Sequence, residues 1–157
     1  MRSVVGINTL FDDSDYDGFV SYEIEEGVSI LDYDAVVIYA DNLCGMFASN
    51  YPEYYRGLLS LNEHRTNELE TCYAVLKDQI VESLKKGRCV YILVGNNKNC
   101  YIDTGGRDVN GTGRNARITR IVKEFDAYGF LPVHVDSTEV HGSLVAPCCE
   151  GAFGQFF

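Results

Sequence analysis

The sequence has no apolar run as long as the roughly 18 residues that a membrane-spanning helix needs. Its N-terminus, MRSVVGINTLFDD, turns acidic before the apolar segment of a secretory signal peptide would be complete. It also lacks an excess of positive charge, because 13 Lys and Arg stand against 23 Asp and Glu, for a formal net charge of -10. General nucleic-acid binding and binding to anionic membranes both need clustered positive charge. We therefore expect a soluble, cytoplasmic protein that does neither.

The sequence further lacks the dense cysteine spacing of a small secreted domain held together by disulfides. Its six cysteines lie singly at positions 44, 72, 89 and 100, with a pair at 148 and 149. With 157 residues, 46% of them hydrophobic, the chain can build one core without such bonds. We expect reduced thiols and a single domain over residues 1–157. The apolar ending AFGQFF predicts that this domain is the N-terminal part of a longer protein or is covered in a homo-oligomer.

Apolar patterns alternate between strand and helix along the chain. Short runs bounded by turn residues predict strands at 3–10, 19–24, 35–40, 88–95, 131–135 and 142–146. Helical spacing predicts a long helix that is capped at Ser60 or Thr66 and stops at Gly87. A second helix is predicted to start near residue 114. Its buried face would carry Ile118, Ile121, Val122 and Phe125.

Strands and crossover helices in repeated order are typical of a layered α/β domain. The sequence therefore predicts a three-layer sandwich with a mostly parallel sheet, flavodoxin-like or amidotransferase-like. Residues 41–59 fit neither period and contain several tyrosines. Long excursions of this kind often form lids or binding loops.

The strand DYDAVVIYAD, the long helix and the segment ESLKKGRCVYILVG follow one another over roughly residues 1–95. In this order they resemble the class I glutamine amidotransferase-like superfamily, including its ThuA-like branch. The resemblance implies a cysteine nucleophile on the sharp turn after the last of these strands, within a G-x-C-x-G pattern. Here that turn reads LVGNNKNC, with Gly95, Asn96 and Asn97 at the elbow and Cys100 several residues later. The resemblance thus implies an amidotransferase-like fold without the catalytic elbow.

Two other patterns could carry chemistry. Cys100 could act as a nucleophile if His134 or His141 lay within hydrogen-bond reach as its base, and the chain has only three histidines to choose from. The alternative is that Cys100 is a small buried hydrophobic residue.

The acidic stretch DSDYDG matches the first half of a calcium-binding loop, with Asp13, Asp15 and Asp17 as candidate metal ligands. The twelfth position of that loop, where a bidentate Glu belongs, is Ile24. An ordinary turn stabilised by Asp and Gly is the alternative interpretation.

A basic island stands out at residues 98–123, where six bases oppose only Asp103 and Asp108. At its centre, GTGRNARITRIV predicts a glycine-rich loop running into a helix N-terminus, a place suited to a phosphate or carboxylate. The predicted ligand-binding residues are Gly111, Gly113, Arg114, Arg117 and Arg107. The spacing is neither that of a P-loop nor that of a dinucleotide-binding loop, so no cofactor is predicted.

The function favoured by the sequence is a non-catalytic domain that recognises a small anionic ligand, either a nucleotide or a phosphorylated metabolite. An amidotransferase-like or other cysteine hydrolase is one alternative, so whether the protein is an enzyme stays open. A protein-protein interaction module that docks through the tyrosines of residues 51–55 is the other. For the basic segment itself, a capped helix with a solvated, charged flank is the plain alternative.

Overall fold

The computed structural model describes residues 3–9 and 18–135. In this part of the chain the strands are β1 (Val4–Ile7), β2 (Phe19–Tyr22), β3 (Ala35–Ala40), β4 (Glu53–Tyr55), β5 (Leu58–Ser60), β6 (Cys89–Val94), β7 (Cys100–Asn110) and β8 (Arg117–Phe125). The α-helices are α1 (Leu43–Met46) and α2 (Glu63–Lys85), and short 3-10 turns cover Ile24–Glu26 and Gly113–Asn115. The chain is therefore an α/β protein with few helices.

Four strands form a wholly parallel sheet in the order β2-β1-β3-β6. Along β3, buried and half-buried side chains alternate, as expected for a strand with one face turned to the core. The buried side chains of this sheet and those on the inward face of α2 form one hydrophobic cluster. Its members include Val5, Ile7, Val36, Ile38 and Ala40 from the sheet and Leu69, Tyr73, Leu76 and Ile80 from the helix.

The opposite face of the parallel sheet is only half-buried. Val37 and Tyr39 on β3 are of intermediate exposure, and Leu93 on β6 is 40% exposed. A three-layer sandwich needs helices on both faces of its sheet, whereas α2 is the only helix longer than four residues between positions 18 and 135. Within the described residues, a helix thus covers one face of this sheet.

A second sheet has the order β4-β5-β7-β8 and mixes parallel with antiparallel pairs. The predicted helix after residue 114 is wrong, because this segment forms strand β8 and pairs antiparallel with β7. Four of the five residues 118–122 are β-branched, which favours a strand. The turn between the strands uses Gly111 and Gly113, whose φ angles of 93° and 63° suit glycine.

Several sequence expectations are confirmed. Strands form within 3–10, 19–24 and 88–95, and the strand predicted at 35–40 has the same bounds in the structure. The long helix ends before Gly87 as expected, but its N-cap is Asn62, whose side chain accepts a 3.0 Å hydrogen bond from the Arg65 backbone N–H. Residues 131–135 form no strand. The strand predicted at 142–146 lies outside the described residues.

No helix in residues 3–9 and 18–135 combines the length and the apolar character needed to cross a membrane.

Gly87 closes α2 in the left-handed region, with a φ of +72°. An L-residue at such a position costs about 1 to 2 kcal/mol, so Gly87→Ala is expected to lower the free energy of unfolding by about 1 kcal/mol in urea titrations. Lys86→Ala is the matched control, because Lys86 has a φ of -79° and is exposed. It should change stability by less than about 0.5 kcal/mol. Equal stability of the two variants would contradict this account of the helix end.

Candidate functional site

The predicted ligand-binding glycines and two of the arginines lie at the turn of the β7–β8 hairpin. Gly111, Gly113, Arg114 and Arg117 are all exposed. The helix N-terminus that was predicted to hold an anion does not exist, since only the three-residue 3-10 turn Gly113–Asn115 is present. Residues that the sequence placed at the start of a helix are therefore brought together at the tip of a β-ribbon.

The outer part of this hairpin projects beyond its sheet. Strand β5 pairs with β7 only where Ser60 meets Tyr101, whereas β7 and β8 continue as a pair to Asn110 and Arg117. We call residues 104–121 the arm. Its pairing is irregular between Asp103 and Arg107, where the register shifts. The arm is therefore a two-stranded ribbon that is anchored at one end.

The anchor is the carboxylate of Asp103, whose side chain is only 1% exposed. Its Oδ1 accepts hydrogen bonds of 2.9 Å from the Gly105 backbone N–H and from Nη1 of Arg107. Nη1 of Arg120 lies 3.7 Å from its Oδ2. The buried carboxylate thus hydrogen-bonds the Arg107 side chain of β7, while Arg120 of β8 lies within ion-pair distance of its other oxygen, which makes no hydrogen bond.

The same two arginines also tie the arm to the rest of the protein. Nη2 of Arg107 lies 3.2 Å from a carboxylate oxygen of Glu63 at the start of α2. Arg120 is hydrogen-bonded to Glu53 on β4. Arg107 was predicted to bind the ligand, but its guanidinium is engaged by Asp103 and Glu63. We therefore assign it to the anchor of the arm.

Arg114 and Arg117 differ from these anchoring residues. In the part of the chain that the structure describes, neither makes an ion pair or a hydrogen bond through its guanidinium. Close to them, Val109 and Ile118 lie directly opposite each other across the ribbon and are 57% and 67% exposed. The tip of the arm thus offers two positive charges that are uncommitted among the described residues, and the ribbon next to it in sequence carries an exposed aliphatic pair.

The exposed tyrosines of residues 51–55 belong to the same sheet as the arm. Tyr54 on β4 is 68% exposed and Tyr51 just before it is 88% exposed. Tyr55 packs edge-on against Tyr101 of β7 at 4.8 Å between ring centroids. Because Glu53 on β4 binds Arg120, the tyrosines and the arm are linked through one ion pair.

At the turn after β6, where the resemblance to amidotransferases would imply a nucleophile, the polar side chain of Asn97 makes structural contacts. Asn97 is buried, accepts a 3.0 Å hydrogen bond from the Leu43 backbone N–H and donates a 2.8 Å hydrogen bond to the Ala127 carbonyl. A Cβ on Gly95 would lie 2.6 Å from Cβ of Asp41. The elbow thus clamps α1 to residue 127 and contains no cysteine, serine or threonine.

Cys100, the nucleophile candidate from the sequence, is fully buried on β7. Its neighbour among titratable groups is the thiol of Cys44, and hydrogen bonding to Cys44 followed by burial raises the Cys100 pKa. The candidate base His134 has a side chain that is 75% exposed, with Nδ1 3.8 Å from a carboxylate oxygen of Asp126. Cys100 is thus buried, whereas the side chain of His134 is exposed and lies near Asp126. His141 lies outside the described residues.

Two of the cavities in the described part of the chain border α1 or α2. One of about 520 Å³ lies along the start of α2, where Arg65 pairs with Glu68 and His64 lies 3.3 Å from the same carboxylate group. The other, of about 270 Å³, lies between α1 and the β4–β5 hairpin, with Cys44 and Lys98 in its wall. The arm borders neither of them.

The candidate metal ligands Asp13, Asp15 and Asp17 lie outside the described residues. Within positions 3–9 and 18–135, no three His, Cys, Asp or Glu side chains gather in a way that could hold a metal ion.

Comparisons with known proteins give no match: neither a family model, a curated protein nor a solved structure resembles the chain significantly.

Sequence reasoning missed three residues that organise these sites, namely Cys44, Asn97 and Asp103. Each acts through a partner far away in the sequence, so no local motif marks it. The one available signal was that the basic island contains only two acids, Asp103 and Asp108, of which the structure buries Asp103.

Proposed function

We propose that this protein is a non-catalytic recognition module, and that its arm binds an acidic segment of a partner protein. The observation that carries the proposal is the position of Arg114 and Arg117, which are exposed and, within the described residues, unpaired at the tip of an anchored ribbon that also exposes Val109 and Ile118. Arginine binds carboxylates through two parallel hydrogen bonds, which gives both affinity and orientation.

Local composition supports a protein partner. Arginine and tyrosine are enriched at the energetic centres of protein interfaces, and here both residue types are exposed on one sheet. The aliphatic pair Val109 and Ile118 could bury apolar surface only against another apolar surface. Exposed aliphatic groups and exposed arginines on the same ribbon therefore fit a segment that contains both acidic and apolar residues.

The sequence favours a small anionic ligand, which is the alternative ligand for the same two arginines. Small-molecule sites are concave and bury most of their ligand, whereas the arm offers contacts from one side of a ribbon. Nucleic acid fits less well, because affinity for a phosphate backbone grows with the number of phosphates neutralised. Two free arginines on a chain of net charge -10 would neutralise few of them.

The test compares three probes by fluorescence anisotropy at low and physiological salt. They are a 12-residue peptide alternating Glu and Val, fluorescent ATP and a 20-base-pair DNA duplex. We expect the peptide to bind and Arg114→Ala/Arg117→Ala to weaken it at least tenfold, about 1.4 kcal/mol. Lys77→Ala/Lys86→Ala is the matched control, because it removes the same charge from exposed positions on α2 or just after it. It should stay within twofold of wild type.

The other outcomes would overturn the proposal in different ways. ATP binding that the arginine variant loses, without peptide binding, would return the arm to small-anion recognition. Tight DNA binding that the variant loses would make it a nucleic-acid ribbon. Equal peptide affinity in the arginine variant and the lysine control would show that only net charge matters.

We also propose a finer assignment of the fold. The order β2-β1-β3-β6 corresponds to the first four strands of flavodoxin-like sheets, which supports a flavodoxin-like or amidotransferase-like ancestry. An elbow without a nucleophile fits a member of such a group that recognises a partner without catalysing a reaction. The described cysteines are free thiols, which supports a cytoplasmic location.

A further inference from the structure

Strand β8 has one free edge along its length. Within the described residues, β7 is the only strand that pairs with β8, which lies at the end of the sheet order β4-β5-β7-β8. The strand covers the nine residues Arg117–Phe125, and none of them is buried. An edge of this kind presents unpaired backbone N–H and C=O groups, to which another extended chain can hydrogen-bond.

One hydrogen bond shows which backbone groups of β8 point outward. The hydroxyl of Thr104, on β7, donates a 2.7 Å hydrogen bond to the Ile121 carbonyl, so this carbonyl faces β7. Successive residues of a strand direct their N–H and C=O groups to opposite sides. The backbone groups of Arg120 and Val122 therefore point away from β7, toward the free edge.

The two faces of β8 differ in character. Because side chains alternate along a strand, the bases Arg117 and Lys123 lie on one face. Ile118 and Val122 lie on the other face, together with Arg120, whose charge is taken up by ion pairs. Directly opposite residues of neighbouring strands share a face and interact. A strand that alternates acidic and apolar residues therefore matches both faces of β8.

Charge complementarity favours an acidic occupant of this edge over a second copy of the chain. Strand β8 contains three bases and one acid, so two copies of it side by side would bring like charges together. The outer part of β7 also has a free edge, since among the described strands β5 pairs with it only at Tyr101. That edge is interrupted by the register shift between Asp103 and Arg107, and it contains more acids than bases. The edge that fits an acidic strand is thus that of β8.

We propose that the acidic segment of the partner protein binds as an additional β-strand along the free edge of β8. Its acidic side chains lie beside Arg117 and Lys123, and its apolar side chains lie beside Ile118 and Val122. Backbone hydrogen bonds then provide affinity, and the alternation of side chains provides specificity. This inference rests on the proposed recognition function and adds the conformation in which the partner is bound.

The test uses the peptide that alternates Glu and Val in three forms, namely unmodified, N-methylated at every Val and N-methylated at every Glu. N-methylation removes the backbone donor and adds bulk on one side of an extended chain. In a strand added to β8, one of the two sets of N–H groups faces β8 and the other faces away. We expect one modified peptide to bind at least about tenfold more weakly than the unmodified peptide. The other, its matched control, should stay within about twofold.

Hydrogen exchange of the backbone amides gives a second readout. Binding of the unmodified peptide should slow exchange at Arg120 and Val122, whose N–H groups point to the free edge. Exchange at Ile121 and Lys123 should change less, because their N–H groups already face β7.

The possible results separate this inference from the proposed function. Binding that depends on Arg114 and Arg117 but is affected equally by the two sets of N-methyl groups would overturn the added strand and leave the recognition function in place. Failure of the unmodified peptide to bind would overturn both. A dimer in analytical ultracentrifugation whose formation slows exchange at Arg120 and Val122 without peptide would make a second copy the occupant of the edge, and it would likewise overturn the proposal.

Discussion

Asp103→Ala is expected to lower the free energy of unfolding by about 3 kcal/mol and to loosen the arm. Hydrogen bonds to charged groups contribute about 1.5 to 3 kcal/mol each, and removing one partner of a buried ion pair costs about 3 to 5 kcal/mol. Here the carboxylate is 1% exposed, while the side chains of Arg107 and Arg120 are 38% and 32% exposed. Because the two guanidinium groups can be partly rehydrated, we expect the lower end of that range.

The measurement is urea denaturation combined with hydrogen exchange of the arm's backbone amides. Asp103→Asn keeps the size of the side chain and one acceptor oxygen, so it should fall between wild type and Asp103→Ala. Asp108→Ala is the matched control, since Asp108 is an exposed acid on the same strand whose carboxylate accepts a 3.2 Å hydrogen bond from the Asn110 side chain. If Asp103→Ala exchanged its arm amides as slowly as Asp108→Ala, the buried carboxylate would not be the anchor.

The anchor at Asp103 should also affect binding of the acidic peptide. Binding that orders a flexible segment loses affinity through the entropy of ordering. A ribbon held at its base by Asp103, Arg107 and Arg120 presents Arg114 and Arg117 in a limited set of positions, which reduces that loss. Asp103→Ala should therefore weaken binding of the acidic peptide although it leaves both contacting arginines in place.

The parallel sheet and the long helix could be predicted because their signals are local. The stretch 35–40 is apolar throughout and bounded by aspartates, and Gly87 with a left-handed φ marks the helix end. Strand β8 could not be assigned in the same way. The spacing of Ile118, Ile121, Val122 and Phe125 satisfies a helix period. The segment forms a strand because its backbone pairs with β7. Such pairing is a property of two segments together.

The candidate site could likewise be predicted from the sequence only where its signals are local. The exposed bases Arg114 and Arg117 were visible as part of a charged cluster, because charge and glycine content can be counted in one segment. Their separation from Arg107 was not visible, because it depends on Glu63 and on the buried carboxylate of Asp103.

Asn97→Ala should be similarly destabilising, by about 3 kcal/mol in urea titrations. The substitution leaves the backbone N–H of Leu43 unsatisfied in a fully buried position, at about 1 to 3 kcal/mol, and removes a second hydrogen bond to the Ala127 carbonyl, at about 1 kcal/mol. The Ala127 carbonyl keeps its hydrogen bond from Tyr73, so the loss at that end is limited. Most of the effect should therefore come from the freed end of α1.

Two further variants separate the ends of this clamp. Asn97→Asp retains an acceptor for Leu43 but places an oxygen against the Ala127 carbonyl, so it should be destabilised at that end alone. Asn96→Ala is the matched control, since Asn96 is exposed and makes its hydrogen bonds through the backbone. It should stay within about 0.5 kcal/mol of wild type. An Asn97→Ala protein as stable as Asn96→Ala would show that α1 is held by packing alone, through Leu43 and Phe47.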